Sequence, residues 1–165
     1  NRSFAFSNSS FMTDPLAPTL PEALVPGATW HLPALALPQA EIIRFAREVD
    51  PQPIHIDETA AQKGPFGRII ASGLHPYIAL HKAYWVRLNS LHFFCGLSFD
   101  KARFYAPVYP DSPFYGKLFI ETTEPRPHKN RIIVSWGLDV YNAADDVLLQ
   151  ENRFTTYHLF ELPNG

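Results

Sequence analysis

The sequence predicts an α+β fold in which an antiparallel β-sheet wraps around one long central α-helix. Two patterns indicate this arrangement: a long helix is followed by a run of strands, and strands and helices do not alternate along the chain. The 165 residues, 46% of them hydrophobic and 18% charged, suffice for one globular domain with a substantial core. We therefore expect a single domain over residues 38–160, preceded by a segment of different character over residues 1–37.

This first segment is expected to be extended or partly disordered. Residues 1–11 are rich in Ser, Asn and Phe, lack the basic start and apolar core of a secretory signal, and look like a tag remnant or a disordered extension. Met12 is then a plausible native start. The prolines between Pro15 and Pro38 favour an extended chain along the surface, within which only Ala28 to Leu32 is predicted to form a short strand.

The first helix is predicted from Pro38 to Val49. Proline is tolerated at such a start, and apolar residues recur on one face of the segment at Ile42, Ile43, Ala46 and Val49. Pro51 and Pro53 each remove an amide donor and push the preceding residue out of the helical region. The helix should therefore stop near Asp50, and residues 50–55 should form a rigid, extended turn.

A longer second helix is predicted from Ser72 to Leu88, with a length that suits a core-crossing element. One buried stripe is expected at Leu74, Ile78, His81, Trp85 and Leu88, which are spaced 4, 3, 4 and 3 residues apart. Gly73 lies at the entrance of this helix, where backbone amides have no intrahelical partner. That entrance is suited to accept a polarised oxygen.

The remainder of the chain is predicted to form four antiparallel strands with one buried face. Alternation of apolar residues is clearest over residues 114–122 and 132–140, and turn residues at 142–146 separate the latter from a last strand over residues 147–157. A further strand is expected over residues 97–105, before Pro107 and Pro110.

Charge and cysteine content exclude several classes of protein. The net charge of −2 and the pI of about 6.4 provide no positive field for DNA or RNA, so no nucleic acid is expected as a partner. Cys95 is the single cysteine, and no Cys/His spacing typical of a metal site occurs. No hydrophobic run reaches the roughly 20 residues of a membrane-spanning helix. A reducing, cytoplasmic setting without a membrane partner is the simplest expectation.

The segment from Asp50 to His55 is the best candidate for chemistry. Its prolines fix the backbone and place a carboxylate and an imidazole where both can reach one water molecule. Hydration of a conjugated thioester needs a base for that water, an acid for the α-carbon and donors for the charge that develops on the thioester oxygen. Asp50, His55 and the Gly73 amide could supply these three roles.

These residues belong to an ordered set that resembles a known family. Asp50-Pro51-Gln52-Pro53-Ile54-His55 is similar to the Asp-x-Asn-Pro-x-His signature of the MaoC-like, or (R)-specific enoyl-CoA hydratase, family. Ile70-Ala71-Ser72-Gly73 resembles the Ile-Ala-His-Gly helix entrance of that family, and residues 102–111 resemble its Arg-Phe-x-x-Pro-Val strand and turn. The resemblance runs from about Pro38 to Tyr157, most of the chain.

The resemblance implies a hot-dog fold, dimerisation or higher homo-oligomerisation, and a CoA or acyl-carrier thioester bound beside the central helix. It implies that Asp50 and His55 hold the catalytic water, that Gly73 polarises the thioester carbonyl, and that neither a metal nor a redox cofactor is needed. Substrate-binding roles are assigned to Gln52, Ser72, His75 and His81. Gln52 and Ser72 replace the usual Asn and His of the family, while His81 stands where many relatives have a Ser.

Each of these residues also has a purely structural interpretation. Asp50 could simply end the helix, His55 could be a loop histidine, Gly73 could be a packing or helix-entry glycine, and His81 could be a satisfied core histidine. A core or dimer-interface role, with an acyl tunnel as the alternative, is expected for the aromatic cluster Tyr84, Trp85, Phe93 and Phe94.

The function expected from these observations is that of a hydro-lyase, an enoyl-CoA hydratase or 3-hydroxyacyl-CoA dehydratase. It would interconvert a trans-2-enoyl thioester and a 3-hydroxyacyl thioester. Two alternatives stay open: a hot-dog acyl-CoA thioesterase, and a non-catalytic subunit that binds acyl thioesters. The replacements at Gln52 and Ser72 motivate the latter.

Overall fold

The computed structural model describes residues 23–162, except for the side chains of Val86 and Arg87. The predictions of a tag remnant over residues 1–11 and of a start at Met12 lie outside the described residues. In chain order the elements are β1 (Thr29–His31), α1 (Gln39–Val49), α2 (Pro53–Ile56), α3 (Glu58–Lys63), α4 (Leu74–Ser90), β2 (Phe93–Phe104), β3 (Phe114–Arg126), a 3-10 turn (Pro127–Lys129), β4 (Arg131–Asn142) and β5 (Leu148–Leu159).

The five strands form one sheet in the order β1-β3-β4-β5-β2, and every neighbouring pair is antiparallel. Four of these strands, β2 to β5, are 12 or 13 residues long and pair along most of their length; Trp136 of β4, for example, lies opposite Phe154 of β5. The antiparallel sheet and its helix confirm the α+β prediction, and each of the four predicted strands overlaps a longer observed one, to within one residue at Tyr105 and Val147.

The core lies between α4 and the inner face of the sheet. Leu80, Tyr84 and Leu88 of α4 are at most 2% exposed, and the Tyr84 ring stacks on Phe154 of β5 with centroids 5.7 Å apart. From β4, alternate residues point toward the helix and are buried at Ile132, Val134, Trp136, Leu138 and Val140. Burial of this apolar surface holds the sheet around the helix.

The buried face of α4 differs from the predicted stripe. Leu74, Ile78 and Trp85 are between 40% and 42% exposed, and Leu88 alone of the apolar residues predicted for the stripe is fully buried. The prediction was wrong because α4 carries large apolar residues on both faces, so that helical spacing by itself does not decide which face meets the sheet.

The prediction of a rigid, extended turn over residues 50–55 holds only in its first half. Gln52 is extended, with φ −72° and ψ 141°, and α2 begins at the next residue. Pro53 starts this helix rather than ending one, because its fixed φ suits the first helical position, where its missing amide costs little. Sequence analysis also missed α3, whose first turn is capped by the Asp57 carboxylate accepting from the Thr59 and Ala60 amides.

Residues ahead of α1 pack on the sheet. β1 pairs with β3, with Trp30 opposite Leu118, so the short strand predicted at Ala28 to Leu32 occurs. Leu24, Leu32 and Leu37 belong to the buried core. The described part of the N-terminal segment is thus integrated with the domain.

Among residues 23–162, no helix combines the length and the apolar character needed to cross a membrane.

Candidate active site

A pocket of about 340 Å³ opens between the start of α4, the segment around α2 and the neighbouring ends of β2 and β5. It holds four of the predicted site residues, Asp50, Gln52, His55 and Gly73. Its remaining lining is mostly apolar and consists of Ile54, Phe66, Ile70, Ala71, Pro76, Phe104, Tyr105, Ala106, Pro107, Val108, Leu149 and Gln150. Such a mixture of apolar walls and a few converging polar groups is typical of a small-molecule site.

The tautomer of His55 follows from one hydrogen bond. Its Nδ1 atom lies 2.8 Å from the backbone oxygen of Ile70, which can only accept, so Nδ1 carries the proton and donates. In the neutral imidazole, Nε2 then has a free lone pair, and this atom lies 3.5 Å from Oδ2 of Asp50. The buried ring is therefore oriented with its basic nitrogen toward the carboxylate.

The Asp50 carboxylate is held by two side-chain donors. The Ser72 hydroxyl donates to Oδ2 at 2.6 Å, and the Gln52 amide donates to Oδ1 at 2.9 Å. These two hydrogen bonds, that from Ser72 above all, lower the pKa of Asp50 below its ordinary value, while burial opposes them and nearby His55 adds to them. Asp50 is thus an ionised acceptor, and both replaced family positions, Gln52 and Ser72, contact it directly.

Gly73 occupies the N-cap position of α4, and the ring of Phe104 packs directly against it. A Cβ atom at residue 73 would lie only 2.4 Å from the nearest atom of that ring, so the Phe104 side chain would have to move to admit any larger residue here. No hydrogen bond within the described chain has the Gly73 amide as its donor. The geometry is therefore compatible with both interpretations of Gly73, as a packing glycine and as a donor to a ligand.

His75 and His81 do not line this pocket. The ring of His75 is buried and stacks on Phe45 of α1 at 4.1 Å, with Nε2 3.8 Å from a carboxylate oxygen of Glu41. His81 stacks on Trp85 at 5.5 Å, farther along α4. Burial lowers the pKa of both histidines. Their geometry does not support the substrate-binding roles that were assigned to them, and His81 has no contact with Asp50.

The strand side of the pocket was missed by sequence analysis. Phe104, Leu149 and Gln150 come from β2 and β5, far along the chain from the Asp50 segment. One signal was present: Gln150 and Asn152 are polar residues at inward positions of a strand whose inward residues are otherwise expected to be apolar. Within residues 23–162, His, Cys, Asp and Glu form no group of three or more that could hold a metal ion.

Comparison with known proteins identifies the family. The family model for the MaoC like domain matches residues 22–140, which include the complete Asp50 segment and α4. The chain belongs to the MaoC-like domain family. Uncharacterized protein YdeM of Bacillus subtilis (strain 168) is 32% identical over 122 residues, covering 72% of this chain and 84% of the relative.

Solved structures show that this MaoC-like domain has the hot-dog fold. The MaoC-like dehydratase from Rhodospirillum rubrum superposes with a TM-score of 0.74 at 22% identity, over 89% of this chain and 100% of that one. The R-hydratase PhaJ1 from Pseudomonas aeruginosa superposes with a TM-score of 0.61 at 20% identity, over 86% and 92% of the two chains. The expected helix and wrapped sheet of the MaoC-like domain are thereby confirmed.

Proposed function

We propose that the protein is a hydro-lyase that adds water to a trans-2-enoyl thioester, giving a 3-hydroxyacyl thioester, and catalyses the reverse dehydration. The observation that carries this proposal is the orientation of His55, whose basic Nε2 faces the ionised Asp50 inside a largely apolar pocket. A water held between a base and a carboxylate can attack an electron-poor carbon.

The proposed step begins with a water that donates hydrogen bonds to His55 Nε2 and Asp50 Oδ2. The water oxygen forms a bond to the β-carbon while its proton passes to His55, and the π electrons move to the thioester oxygen. In this step the amide of Gly73, the N-cap residue of α4, donates to that oxygen. The proton on His55 then passes to the α-carbon, which restores the neutral ring. Asp50 stabilises the transient imidazolium 3.5 Å away.

The carrier of the acyl group is proposed to be CoA or acyl-carrier protein. No metal or redox cofactor enters the proposed step, and the protein is proposed to act in the cytoplasm as a homodimer or higher homo-oligomer. Support for self-association comes from β2, the strand at one end of the sheet, which exposes Phe94, Leu97 and Phe99. Exposed apolar residues on an unpaired edge strand favour contact with another chain.

The test is the loss of enoyl absorbance with crotonyl-CoA and with longer and branched trans-2-enoyl-CoA substrates. Asp50→Asn and His55→Ala should each lower kcat/KM by about a hundredfold or more, since each removes a group that handles the proton of the water. Asp146→Asn and His128→Ala, at exposed positions outside the pocket, are matched controls that should leave turnover unchanged. Retained turnover in a folded Asp50→Asn or His55→Ala variant would contradict the proposed roles.

The two alternatives give different results in the same assay. Release of free thiol from a saturated acyl-CoA would identify a thioesterase, and tight binding without turnover of any enoyl or hydroxyacyl thioester would identify a binding subunit. The latter was motivated by the replacements at Gln52 and Ser72. Because both side chains donate to Asp50, the replacements are no argument against catalysis.

A further inference from the structure

We infer that Gln150 is a specificity-determining residue, which makes the pocket select acyl groups that carry a neutral hydrogen-bonding substituent such as a hydroxyl. This inference rests on the proposed function, because it names the substrate class of the same pocket. Gln150 lines the pocket together with Asp50, His55 and Gly73, yet it comes from β5, far along the chain from the Asp50 segment. It is a buried primary amide, only 3% exposed, in a wall of mostly apolar side chains.

The orientation of the Gln150 amide follows from a chain of two hydrogen bonds. Asn152 is 0% exposed, and its Nδ2 atom lies 3.2 Å from the backbone oxygen of Leu138. A backbone oxygen only accepts, so this atom of Asn152 must be the amide nitrogen, and Oδ1 must be the oxygen. Oδ1 accepts from Gln150 Nε2 at 2.8 Å. The nitrogen and oxygen of Gln150 are therefore assigned without ambiguity.

The hydrogen bond to Asn152 leaves one donor and the acceptor of the Gln150 amide without a partner in the part of the chain that the structure describes. One N–H of Nε2 is committed to Asn152, and the second N–H is unassigned. No donor among the described residues bonds to Oε1 of Gln150. A buried amide with an open acceptor and an open donor loses free energy unless a ligand or water satisfies it. A purely structural pair would be expected to close its own hydrogen bonds.

The oxygen and the second N–H of the Gln150 amide fit a neutral substituent of the acyl group better than an anion. A hydroxyl can donate to Oε1 and accept from the second N–H, whereas a carboxylate has no proton for Oε1. The ionised Asp50 in the same pocket further disfavours a second negative charge. An unsubstituted alkyl chain would cover Oε1 without bonding to it. The site should therefore discriminate against plain chains, since groups built to bond a hydroxyl reject its apolar analogue.

An amide of the pantetheine arm of the carrier could make the same hydrogen bonds to Gln150. The experiment therefore compares substrates that all carry the same pantetheine arm and differ only in the acyl group. Plain trans-2-enoyl-CoA substrates are compared with a series whose hydroxyl stands at successive positions along the acyl chain. We expect the best hydroxylated substrate to be favoured by about tenfold or more in kcat/KM. In Gln150→Met, which keeps the length of the side chain without its amide, this ratio should fall to near one.

Two outcomes would overturn the inference. One is a wild-type protein that prefers the plain chain over every hydroxylated one. The other is an unchanged ratio of the two kcat/KM values in Gln150→Met; if both values fall equally there, the pantetheine arm, rather than the acyl substituent, lies against Gln150. The wild-type comparison needs no variant, so it decides even if Gln150→Met does not fold.

A binding measurement separates this inference from the proposed function. Saturated acyl-CoA ligands, plain and hydroxylated, are titrated calorimetrically into the wild-type protein and into Gln150→Met. Tighter wild-type binding of a hydroxylated ligand, lost in the variant, supports the inference even if no enoyl thioester is turned over. Turnover of plain enoyl-CoA without any such selectivity sustains the hydro-lyase and overturns the role of Gln150.

Discussion

At the scale of the residue, the replaced positions around Asp50 are the most informative. Ser72 and Gln52 each donate to one carboxylate oxygen, so Asp50 has a fixed orientation and a lowered pKa. A carboxylate accepting two hydrogen bonds stays ionised over a wider acidic range than a free one. The titration of the Asp50 carboxyl should therefore report these two contacts.

Removing the Ser72 hydroxyl should raise the pKa of Asp50. Ser72→Ala removes the larger of the two hydrogen-bonding causes that lower this pKa, so the carboxylate should take up its proton at a higher pH than in the wild type. Gln52→Leu should shift the pKa of Asp50 in the same direction by less.

The measurement is the pH titration of the Asp50 carboxyl carbon by NMR in the wild type, both variants and His128→Ala as a control. A midpoint that stays in place in Ser72→Ala, or that moves to lower pH, would contradict a carboxylate stabilised by the Ser72 hydroxyl.

At the scale of the element, a buried hydrogen-bonded chain joins β4, β5 and the end of α4. The Trp136 indole donates to the Thr156 hydroxyl at 2.7 Å, and that oxygen lies 2.9 Å from His158 Nε2. His158 Nδ1 lies 2.7 Å from the backbone oxygen of Leu91, an acceptor, so Nδ1 carries the proton. The Thr156 hydroxyl can then donate to Nε2, which satisfies every member of the chain while His158 is neutral.

This chain predicts a loss of stability in acid. Burial, with His92 nearby, lowers the pKa of His158 from 6.5 to about 4, although its bond to Leu91 opposes the change. Between those two values the unfolded chain binds a proton that the folded one does not. Above the pKa that histidine has in the unfolded chain, neutral His158 makes its full contribution to the free energy of unfolding. As the pH falls toward 4 this contribution is lost, which lowers the free energy of unfolding by up to about 3 kcal/mol.

Chemical denaturation of the wild type and of His158→Gln, from about pH 7 to about pH 4, measures this contribution. Glutamine can donate to Leu91 and accept from Thr156 but does not titrate. The wild type should lose its stability advantage over the variant as the pH falls. Two curves that stay parallel over this range would contradict the prediction, because His75 and His81 titrate in both proteins.

At the scale of the whole molecule, several exposed apolar residues follow one edge of the sheet. Among the described residues β2 pairs with β5 alone, and Phe94 of β2 is 51% exposed. The exposed apolar residues of α4, which explain the wrongly predicted stripe, are Leu74, Ile78 and Trp85. An apolar edge strand of this length is a surface that proteins usually cover.

Sedimentation velocity should therefore detect a dimer or a larger homo-oligomer of the wild type. Leu97→Glu, at an exposed position of β2, should shift the distribution toward monomer, since it places a charge on the apolar edge. Val25→Glu introduces the same charge at an exposed apolar residue outside β2 and is the matched control. A monomeric wild type, or dissociation by Val25→Glu alone, would contradict an interface along β2.

The sequence by itself determined the α+β class, the strands and the pairing of Asp50 with His55. Strand alternation and proline positions act over a few residues, so they can be seen in the chain without its partners. The ordered motif around Asp50 also indicated Gly73, and the family match agrees with that motif. Sequence patterns were sufficient for those features that depend on interactions between residues close together in the chain.

Only the tertiary structure decided which side chains meet. In the folded protein, Ser72 and Gln52 donate to the oxygens of Asp50. His75 and His81 do not line the pocket, whereas Gln150 does. The tertiary structure also decided that Leu80 and Tyr84, rather than Ile78 and Trp85, face the sheet. These outcomes depend on contacts between residues distant in the chain, whose energies come from packing and hydrogen bonding in three dimensions and leave no periodicity in the sequence.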